Sequence, residues 1–237
     1  MSIAYSGFKC NGNILPSVSS ILSSDDKHIS RRKSAGIGRS KDDCIKSSDG
    51  RSRGLSIHQS VNRFLLTGET DIDERYLNFW NGIYKQLQIL DIHDIYFAER
   101  PQKSELSHLA NGDYACIWSD RYKFAGIPDL VCNLSGVNCV VEFKTSSHLY
   151  TKNYDRRKFK TYHQWYSYSQ AATQVSAYAR AFTEQTGIKI EAGIIINATR
   201  DDSQLFIVDG DEMSKRFKKF VTLTNKFNKQ NSYEYKK

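Results

Sequence analysis

Apolar residues recur at two different periods along the chain, and the changes of period predict the order of its helices and strands. From Gly54, apolar residues recur at the three- and four-residue spacing of a helix that ends near Gly68. These residues are Ile57, Val61, Phe64 and Leu65. A second helix is predicted over 74–90, with Asp71 or Asp73 placed to cap it. Its apolar stripe consists of Tyr76, Phe79, Trp80, Ile83 and Leu87.

The middle of the chain changes to short runs rich in β-branched and aromatic residues. The runs "DIYFAE", "YACIWSD", "KFAGIPDLVCNL" and "NCVVEFKTS", separated by turn signals such as "LSGVN", predict a meander of three or four strands. Helical spacing returns over 162–186 and closes at Gly187. Two strands, "IEAGIIINAT" and "SQLFIVDG", and a basic helix over 211–230 follow. This order predicts an α/β fold with a central mixed sheet flanked by helices.

The N-terminal region has a different composition. Residues 23–53 are rich in Ser, Gly and charge with few large apolar residues, so the sequence predicts that this segment is partly mobile. Just before it, "NILPSVSSIL" is apolar enough for an ordered strand or a short helix packed on the domain. A chain of 237 residues is long enough for one sizeable core, and we interpret 1–237 as a single domain.

Charge and cysteine content narrow the class of protein. The formal net charge of +8 favours a polyanionic partner, either nucleic acid or an acidic membrane surface. The five cysteines are irregularly spaced and match neither a disulfide framework nor paired metal knuckles, which indicates a reducing compartment. No run approaches the ~20 apolar residues of a membrane span, and the first residues resemble neither a signal peptide nor a transit peptide. The expectation is a soluble cytoplasmic protein, in the host cytoplasm if a phage encodes it.

Charged residues interrupt two of the apolar runs. If "LSGVN" turns "GIPDLVCNL" back against "NCVVEFKTS", Asp129 lies close to Glu142 across the strand pair, and Lys144 shares a face with Glu142. Two close carboxylates repel unless a cation lies between them, and Mg²⁺ or Mn²⁺ suits such an oxygen-rich site. The backbone carbonyl of Phe143 can add an oxygen. With Lys144 holding and helping to deprotonate a water, these groups suit phosphodiester hydrolysis.

An ordinary structural interpretation of the same residues stays open. Asp129 can be a turn residue after Pro128, and Glu142 and Lys144 can form a solvated same-face pair on an exposed strand, because short matches of this kind are frequent. The position of all three residues within apolar runs favours the metal site.

The segments "GIPDLV", "VVEFKTS" and "QVSAY" together resemble the PD-(D/E)xK nuclease superfamily, in particular its RecB-like exonuclease branch. The segments "LPSVSSIL" and "RGLSIHQSV" are similar to those of the group that contains the mitochondrial genome maintenance exonuclease and phage relatives. The resemblance covers about Leu15 to Tyr178. It implies a restriction-endonuclease-like core.

The resemblance also implies roles for individual residues. Asp129 and Glu142 become metal ligands, Lys144 becomes the catalytic lysine, and His58 becomes an additional ligand from the first helix. From the residues alone, a single His beside an apolar stripe is equally a packing or hydrogen-bonding group. Many relatives carry an acidic residue one helical turn after the His, where this chain has Asn62.

Gln174 and Tyr178 correspond to the helix pair of the RecB-like branch. They are four residues apart and share a helix face, where an amide and a phenol can orient Lys144, a water or a phosphate. The alternative for Tyr178 is a core position with a satisfied hydroxyl. Glu99 is a further candidate to approach the site. Several branches hold an iron–sulfur cluster through cysteines after this helix, and because this chain has no Cys after Cys139, no cluster is predicted.

Cations and aromatic rings alternate between the Glu-x-Lys strand and the Gln/Tyr helix. The cations are Lys152, Arg156, Arg157, Lys158 and Lys160, and the rings include Tyr150, Tyr154, Tyr162, Trp165 and Tyr166. Cations for phosphates interleaved with rings for bases are typical of a single-strand channel that tolerates any sequence. We therefore predict that the five cations, Tyr162 and Trp165 bind DNA. The alternative is a solvated basic loop with its rings packed underneath.

Together these patterns predict a hydrolase, a Mg²⁺- or Mn²⁺-dependent DNA exonuclease that prefers single-stranded DNA or frayed ends and acts in replication, repair or recombination. Its partner is DNA rather than a membrane, and it is expected to be a monomer. Three alternatives stay open: a structure-specific flap endonuclease, a non-catalytic single-stranded DNA-binding protein with the same fold, and a basic membrane-surface protein that uses its C-terminal helix.

Overall fold

The computed structural model of the protein describes residues 7–10, 12–33, 41–111, 114–154 and 161–231. The α-helices over these ranges are α1 (Val18–Lys33), α2 (Lys41–Thr67), α3 (Leu77–Leu87), α4 (Tyr162–Thr186) and α5 (Gly210–Asn231). The strands are β1 (Gly7–Cys10), β2 (Asn13–Pro16), β3 (Ile92–Ala98), β4 (Arg100–Pro101), β5 (Ala110–Asn111), β6 (Tyr114–Ala115), β7 (Ile117–Ser119), β8 (Phe124–Gly126), β9 (Leu130–Leu134), β10 (Val137–Thr145), β11 (Ala192–Ala198) and β12 (Ser203–Val208). Two short 3-10 helices, Glu74–Tyr76 and Ser104–Leu109, complete the set.

A six-stranded sheet in the order β12-β11-β10-β9-β3-β4 forms the centre of the fold. Strands β10 and β11 are parallel, because α4 carries the chain back across the sheet between them, and the other neighbouring pairs are antiparallel. Helix α4 packs on one face with α1 and α5, and α2 and α3 pack on the other. The predicted fold class, an α/β protein with a central mixed sheet flanked by helices, is confirmed.

The predicted meander is wrong in its connections. Strand β3 pairs with β9, and β5 to β8, which lie between them in the chain, form two separate two-stranded units outside the central sheet, β5–β6 and β7–β8. The run "KFAGIPDLVCNL" is divided into β8 and β9 at residues 127–129. Pro128 explains the division, because proline has no backbone N–H to donate to a strand ladder.

Helices cover much of the N-terminal region. The segment 13–22 contains both structures that its pattern allows, strand β2 and then the start of α1, whose first turn is capped where Ser17 Oγ accepts from Ser20 N at 3.0 Å. The helix predicted from Gly54 instead begins at Lys41. Helical backbone therefore covers 23–33 and 41–53 of the segment predicted to be partly mobile, and its mobility stays a prediction.

Two other local features are a helix cap and a pair of cysteines. Asp73, one of the two proposed caps, accepts a hydrogen bond from Arg75 N at 3.0 Å and starts the 3-10 turn that leads into α3. Cys132 and Cys139 are free, buried and directly opposite each other on β9 and β10, as expected of small apolar residues. None of the helices in the described ranges is both long and apolar enough to cross a membrane.

Candidate active site

Strand β10 changes its surroundings halfway along its length. The turn Ser135–Gly136 has φ angles of 48° and 91°, the two left-handed positions of a type I′ hairpin turn, and it joins β9 to β10. Pairing with β9 runs to the Val141↔Leu130 pair, where β9 begins. Beyond that pair β10 continues beside β11 with Glu142, and Asp129 lies just before β9. The charged residues of the two apolar runs therefore lie close together at the point where the pairing of β9 with β10 ends.

Asp129 is held by a backbone donor and by a histidine. Its Oδ2 accepts a hydrogen bond from the backbone N–H of Phe143 at 2.8 Å, and its Oδ1 lies 2.9 Å from His58 Nδ1. Burial alone would raise the pKa of Asp129, but the facing His58 holds that pKa below its usual value. The carboxylate of Asp129 in turn raises the pKa of His58 to about 9. The contact is an ion pair that joins the β9 end of the site to α2.

Glu142 and Lys144 form a hydrogen-bonded pair on β10, in which the side chain of Lys144 is 26% exposed. The Glu142 residue is only 2% exposed, and its Oε1 accepts a hydrogen bond from Lys144 Nζ at 2.7 Å. Its other oxygen, Oε2, is buried and has no hydrogen-bond partner within the described part of the chain. Burial, with the nearby Asp129, raises the pKa of Glu142 to about 7. Burial alone would lower the pKa of Lys144, but the two carboxylates raise it. The interpretation of a solvated pair on an exposed face is wrong.

Helix α4 brings a third partner to Lys144. Gln174 Oε1 accepts a hydrogen bond from Lys144 Nζ at 2.9 Å, and Gln174 Nε2 donates to Tyr178 OH at 3.2 Å. Tyr178 is buried, which raises its pKa well above the usual value. A Cβ on Gly126 would lie 2.6 Å from Tyr178 Cε1, so the glycine makes room for the phenol. Tyr178 is thus both a core residue and the partner that orients Gln174.

Helix α2 carries His58 at the rim of the sheet. Ile57 and Val61 are buried on either side of it in the core between α2 and the sheet. One turn after His58, Asn62 Nδ2 donates to Glu99 Oε2 at 3.0 Å, while the buried Asn62 Oδ1 has no hydrogen-bond partner among the described residues. Glu99 has a positive φ of 52°, which is uncommon for a residue with a side chain. The structure therefore connects Glu99 to α2 through Asn62.

Two further side chains lie beside this cluster. Arg53 Nε donates to Thr145 Oγ1 at 3.2 Å, and its guanidinium lies 4.5 Å from the ring centroid of Phe79. Tyr150 is near enough for the charge of Lys144 to act on its pKa, which burial raises. Sequence reasoning did not identify Arg53 as a neighbour of the site. Its position on the same helix as His58, five residues earlier, was the available signal.

The carboxylate oxygens of Asp129 and Glu142 are chemically suited to bind a divalent cation. The described residues contain no group of three His, Cys, Asp or Glu side chains arranged to hold a metal, and Asp129 contacts His58 while Glu142 contacts Lys144. Glu142 nevertheless has a buried oxygen without a partner among the described residues, and Asp129, just before β9, is near enough for its charge to raise the pKa of Glu142. Hard carboxylate oxygens of this kind suit Mg²⁺ or Mn²⁺.

The predicted DNA-binding residues divide into three groups. Lys152 Nζ donates to Ile207 O at 2.6 Å and lies 3.7 Å from Glu212 Oε2, so acceptors within the protein bind it. Tyr162 and Trp165 lie in the first turn of α4, with ring centroids 6.0 Å apart. The remaining four residues lie outside the described part of the chain: Arg156, Arg157, Lys158 and Lys160.

Comparisons with known proteins give weak likenesses. No family model matches the chain, and no curated protein matches it. Among solved structures, it is similar to a candidate exonuclease from Eubacterium rectale, with 10% identity and a TM-score of 0.34 over 92% of this chain and 78% of that one. It is also similar to the protein SSO0001, with 12% identity and a TM-score of 0.27 over 86% of this chain and 85% of that one. Likenesses at this level do not identify a family, so the function is inferred from the site itself.

Proposed function

We propose that this protein is a Mg²⁺- or Mn²⁺-dependent deoxyribonuclease that hydrolyses phosphodiester bonds from the ends of single-stranded or frayed DNA. The observation that carries the proposal is the contact of the Lys144 ammonium with Glu142 and Gln174, near Asp129 just before β9. Buried charges are costly to a fold even when they are paired. Such a cluster of charged groups is a candidate for chemistry, because apolar side chains would fill the same space at lower cost.

Each residue of the cluster has a role in the proposed reaction. Asp129 and Glu142 would hold the cation, with the Phe143 carbonyl and His58, after it has lost its proton, as further donors. When bound, the cation supplies charge stabilisation at the phosphate and lowers the pKa of a water. Lys144 donates hydrogen bonds that hold the attacking water in line with the phosphorus, and Gln174 keeps its ammonium group in position.

The choice of DNA as the substrate rests on charge and on the aromatic residues near the site. The net charge is +8, and Tyr162 and Trp165 can stack on unpaired bases. An enzyme that removes nucleotides from single-stranded or frayed ends would act in replication, repair or recombination. We propose that it works as a monomer, since the whole cluster lies within one chain.

The test is digestion of end-labelled linear and closed circular single-stranded DNA with Mg²⁺ or Mn²⁺, and with EDTA as a control. Glu142→Gln and Lys144→Ala are compared with Glu191→Gln, which removes an exposed carboxylate from the segment before β11. The parent and Glu191→Gln should degrade linear DNA only. Both site variants should lose activity by about 10²-fold or more, because they remove a cation ligand and a positioned donor.

Other outcomes revise the proposal in defined ways. Cleavage of circles would make the protein an endonuclease, including the flap-specific kind. Binding of single strands without any cleavage, with either cation, would leave a DNA-binding protein with the same fold. Activity that survives in Glu142→Gln would remove this cluster from the mechanism.

A further inference from the structure

A row of side chains spaced four residues apart runs along α4 towards Lys144. Its members are Tyr162, Tyr166, Gln170, Gln174 and Tyr178. Residues four apart on a helix form one continuous, slightly inclined ridge. The first four members are partly exposed and the last is buried, so the ridge descends from the surface into the candidate site.

Contacts between neighbouring side chains join the outer three members of this ridge. The rings of Tyr162 and Tyr166 stack with their centroids 5.8 Å apart, and the Gln170 amide donates to the Tyr166 hydroxyl. At the other end Gln174 contacts Lys144. Aromatic rings therefore stand at the outer end of the ridge and amides at the end next to Lys144.

The chain that leaves β10 runs back beside α4 and adds a second wall. His148 Nε2 lies 3.2 Å from Ser167 Oγ, and the ring of Tyr154 stacks on Trp165 with centroids 5.0 Å apart. The rings of Tyr154, Tyr162, Trp165 and Tyr166 are thus gathered at the start of α4, and we call them the ring cluster. All four are partly exposed.

We infer that the ridge, with the ring cluster at its outer end, is a track that binds one strand of DNA on the way to the candidate active site. The inference rests on the proposed function and deepens it by naming where the unpaired strand lies. Rings supply flat surfaces for bases, and the Gln170 and Gln174 amides supply hydrogen bonds to bases or phosphates. A duplex cannot use this track, because paired bases do not expose their faces.

The composition of the sequence just before α4 also favours this occupant. Of the six residues between Tyr154 and Thr161 in the sequence, four are Lys or Arg and one is Asp. A polyanion with flat bases matches rings and amides on a chain with a net charge of +8, whereas an apolar peptide or an acyl chain would leave the amides unused.

The geometry also sets a length for the track. The twelve-residue step from Tyr162 to Gln174 spans about 18 Å of helix. A stacked strand advances roughly 3.4 Å per nucleotide, so the track holds about five nucleotides. Strands shorter than this cannot reach both the ring cluster and Lys144.

The test measures binding without cleavage. Fluorescence anisotropy of labelled oligothymidylates of two to twelve nucleotides is recorded in EDTA, with the parent protein, Trp165→Ala, Tyr162→Ala and the matched control Tyr84→Ala. Tyr84 is a partly exposed aromatic residue on α3. Affinity of the parent should rise with length up to about five nucleotides. The two ring variants should bind the twelve-nucleotide strand about tenfold more weakly or worse, and Tyr84→Ala should bind as the parent does.

A conservative variant separates stacking from folding. Trp165→Phe keeps a ring and should retain most of the affinity lost in Trp165→Ala, while both should show the parent's circular dichroism spectrum. Equal affinity of parent and ring variants for the long strand, or the same loss for a blunt duplex, would overturn the inference.

The result is independent of the proposed chemistry. If ring-dependent binding is found but no condition gives cleavage, the track stands and the nuclease proposal fails. If DNA is cleaved but ring variants bind normally, the nuclease proposal stands and the track is wrong.

Discussion

The two halves of strand β10 have the same backbone conformation but different chemistry. The first half, Val137–Val141, pairs with β9 on one side, and its residues from Cys139 onward are buried apolar side chains. The second half begins with Glu142, where β9 has not yet started, and it carries the buried charges. In the first half, the backbone hydrogen-bonding groups find their partners in the neighbouring strands.

The second half shows what happens when a ladder partner ends early. The N–H of Phe143 is satisfied by the side chain of Asp129 rather than by a strand, so this carboxylate has both a structural and a proposed chemical role. Glu142 keeps one oxygen without a partner. A sheet can therefore hold reactive groups where its own hydrogen bonding is incomplete, at a cost in stability.

The largest expected loss of stability comes from a substitution that breaks the charge pair in the second half of β10. Lys144→Met removes the partner of a buried carboxylate and should lower the free energy of unfolding by about 3–5 kcal/mol. Adding Glu142→Leu should recover much of that loss, because no unpaired charge remains buried. Urea unfolding of the parent, the single and the double variants measures both changes. A double variant no more stable than Lys144→Met would show that the loss of stability in Lys144→Met does not come from the unpaired carboxylate of Glu142.

A truncation in β9, opposite the first half of β10, should give a similar loss for a different reason. Leu130→Ala, opposite Val141, leaves a cavity in a fully buried position and should cost about 2–5 kcal/mol. Cleavage per folded molecule should stay near that of the parent, since the charged cluster is unchanged. Urea unfolding and a cleavage assay normalised to the folded fraction separate the two quantities. A proportionate loss of activity would contradict this division of the strand.

Asp129 offers a finer test of its backbone role. Asp129→Ala leaves the Phe143 N–H without its acceptor and should cost about 1–3 kcal/mol, whereas Asp129→Asn keeps an oxygen in place and should cost less. Hydrogen exchange at the Phe143 amide should accelerate in the Ala variant only. Equal exchange in the two variants would mean that the side chain does not protect this amide.

Two glycines allow a matched comparison of packing against α4. A Cβ at Gly126 would meet Tyr178 at 2.6 Å, and a Cβ at Gly193 would meet Val175 Cγ2 at 2.7 Å. Both Gly→Ala variants should lose about 1–3 kcal/mol through overpacking. Only Gly126→Ala displaces the partner of Gln174, so it alone should lower the cleavage rate, by several-fold. Similar rates for the two variants would argue that Tyr178 does not act through Gln174.

Much of this arrangement follows from local patterns. The "LSGVN" segment predicts the hairpin that sets Asp129 beside Glu142, and the four-residue spacing of Gln174 and Tyr178 places both on one side of α4. Periodicity predicts α4, β11, β12 and α5 closely, because their apolar patterns are long and uninterrupted. It fails for the β7–β8 hairpin, where strand-like residues pair outside the central sheet. The spacing of apolar residues does not determine which other strand a strand pairs with.

The sequence by itself determined the identity of the charged residues, their alternation along β10 and the α/β order of the chain, since these depend on neighbours within a few residues. Only the tertiary structure decided that His58 meets Asp129, that Gln174 meets Lys144 and that β3 lies beside β9. Those contacts join segments far apart in the chain. They are set by how the helices pack on the sheet, which depends on the whole core rather than on any single segment.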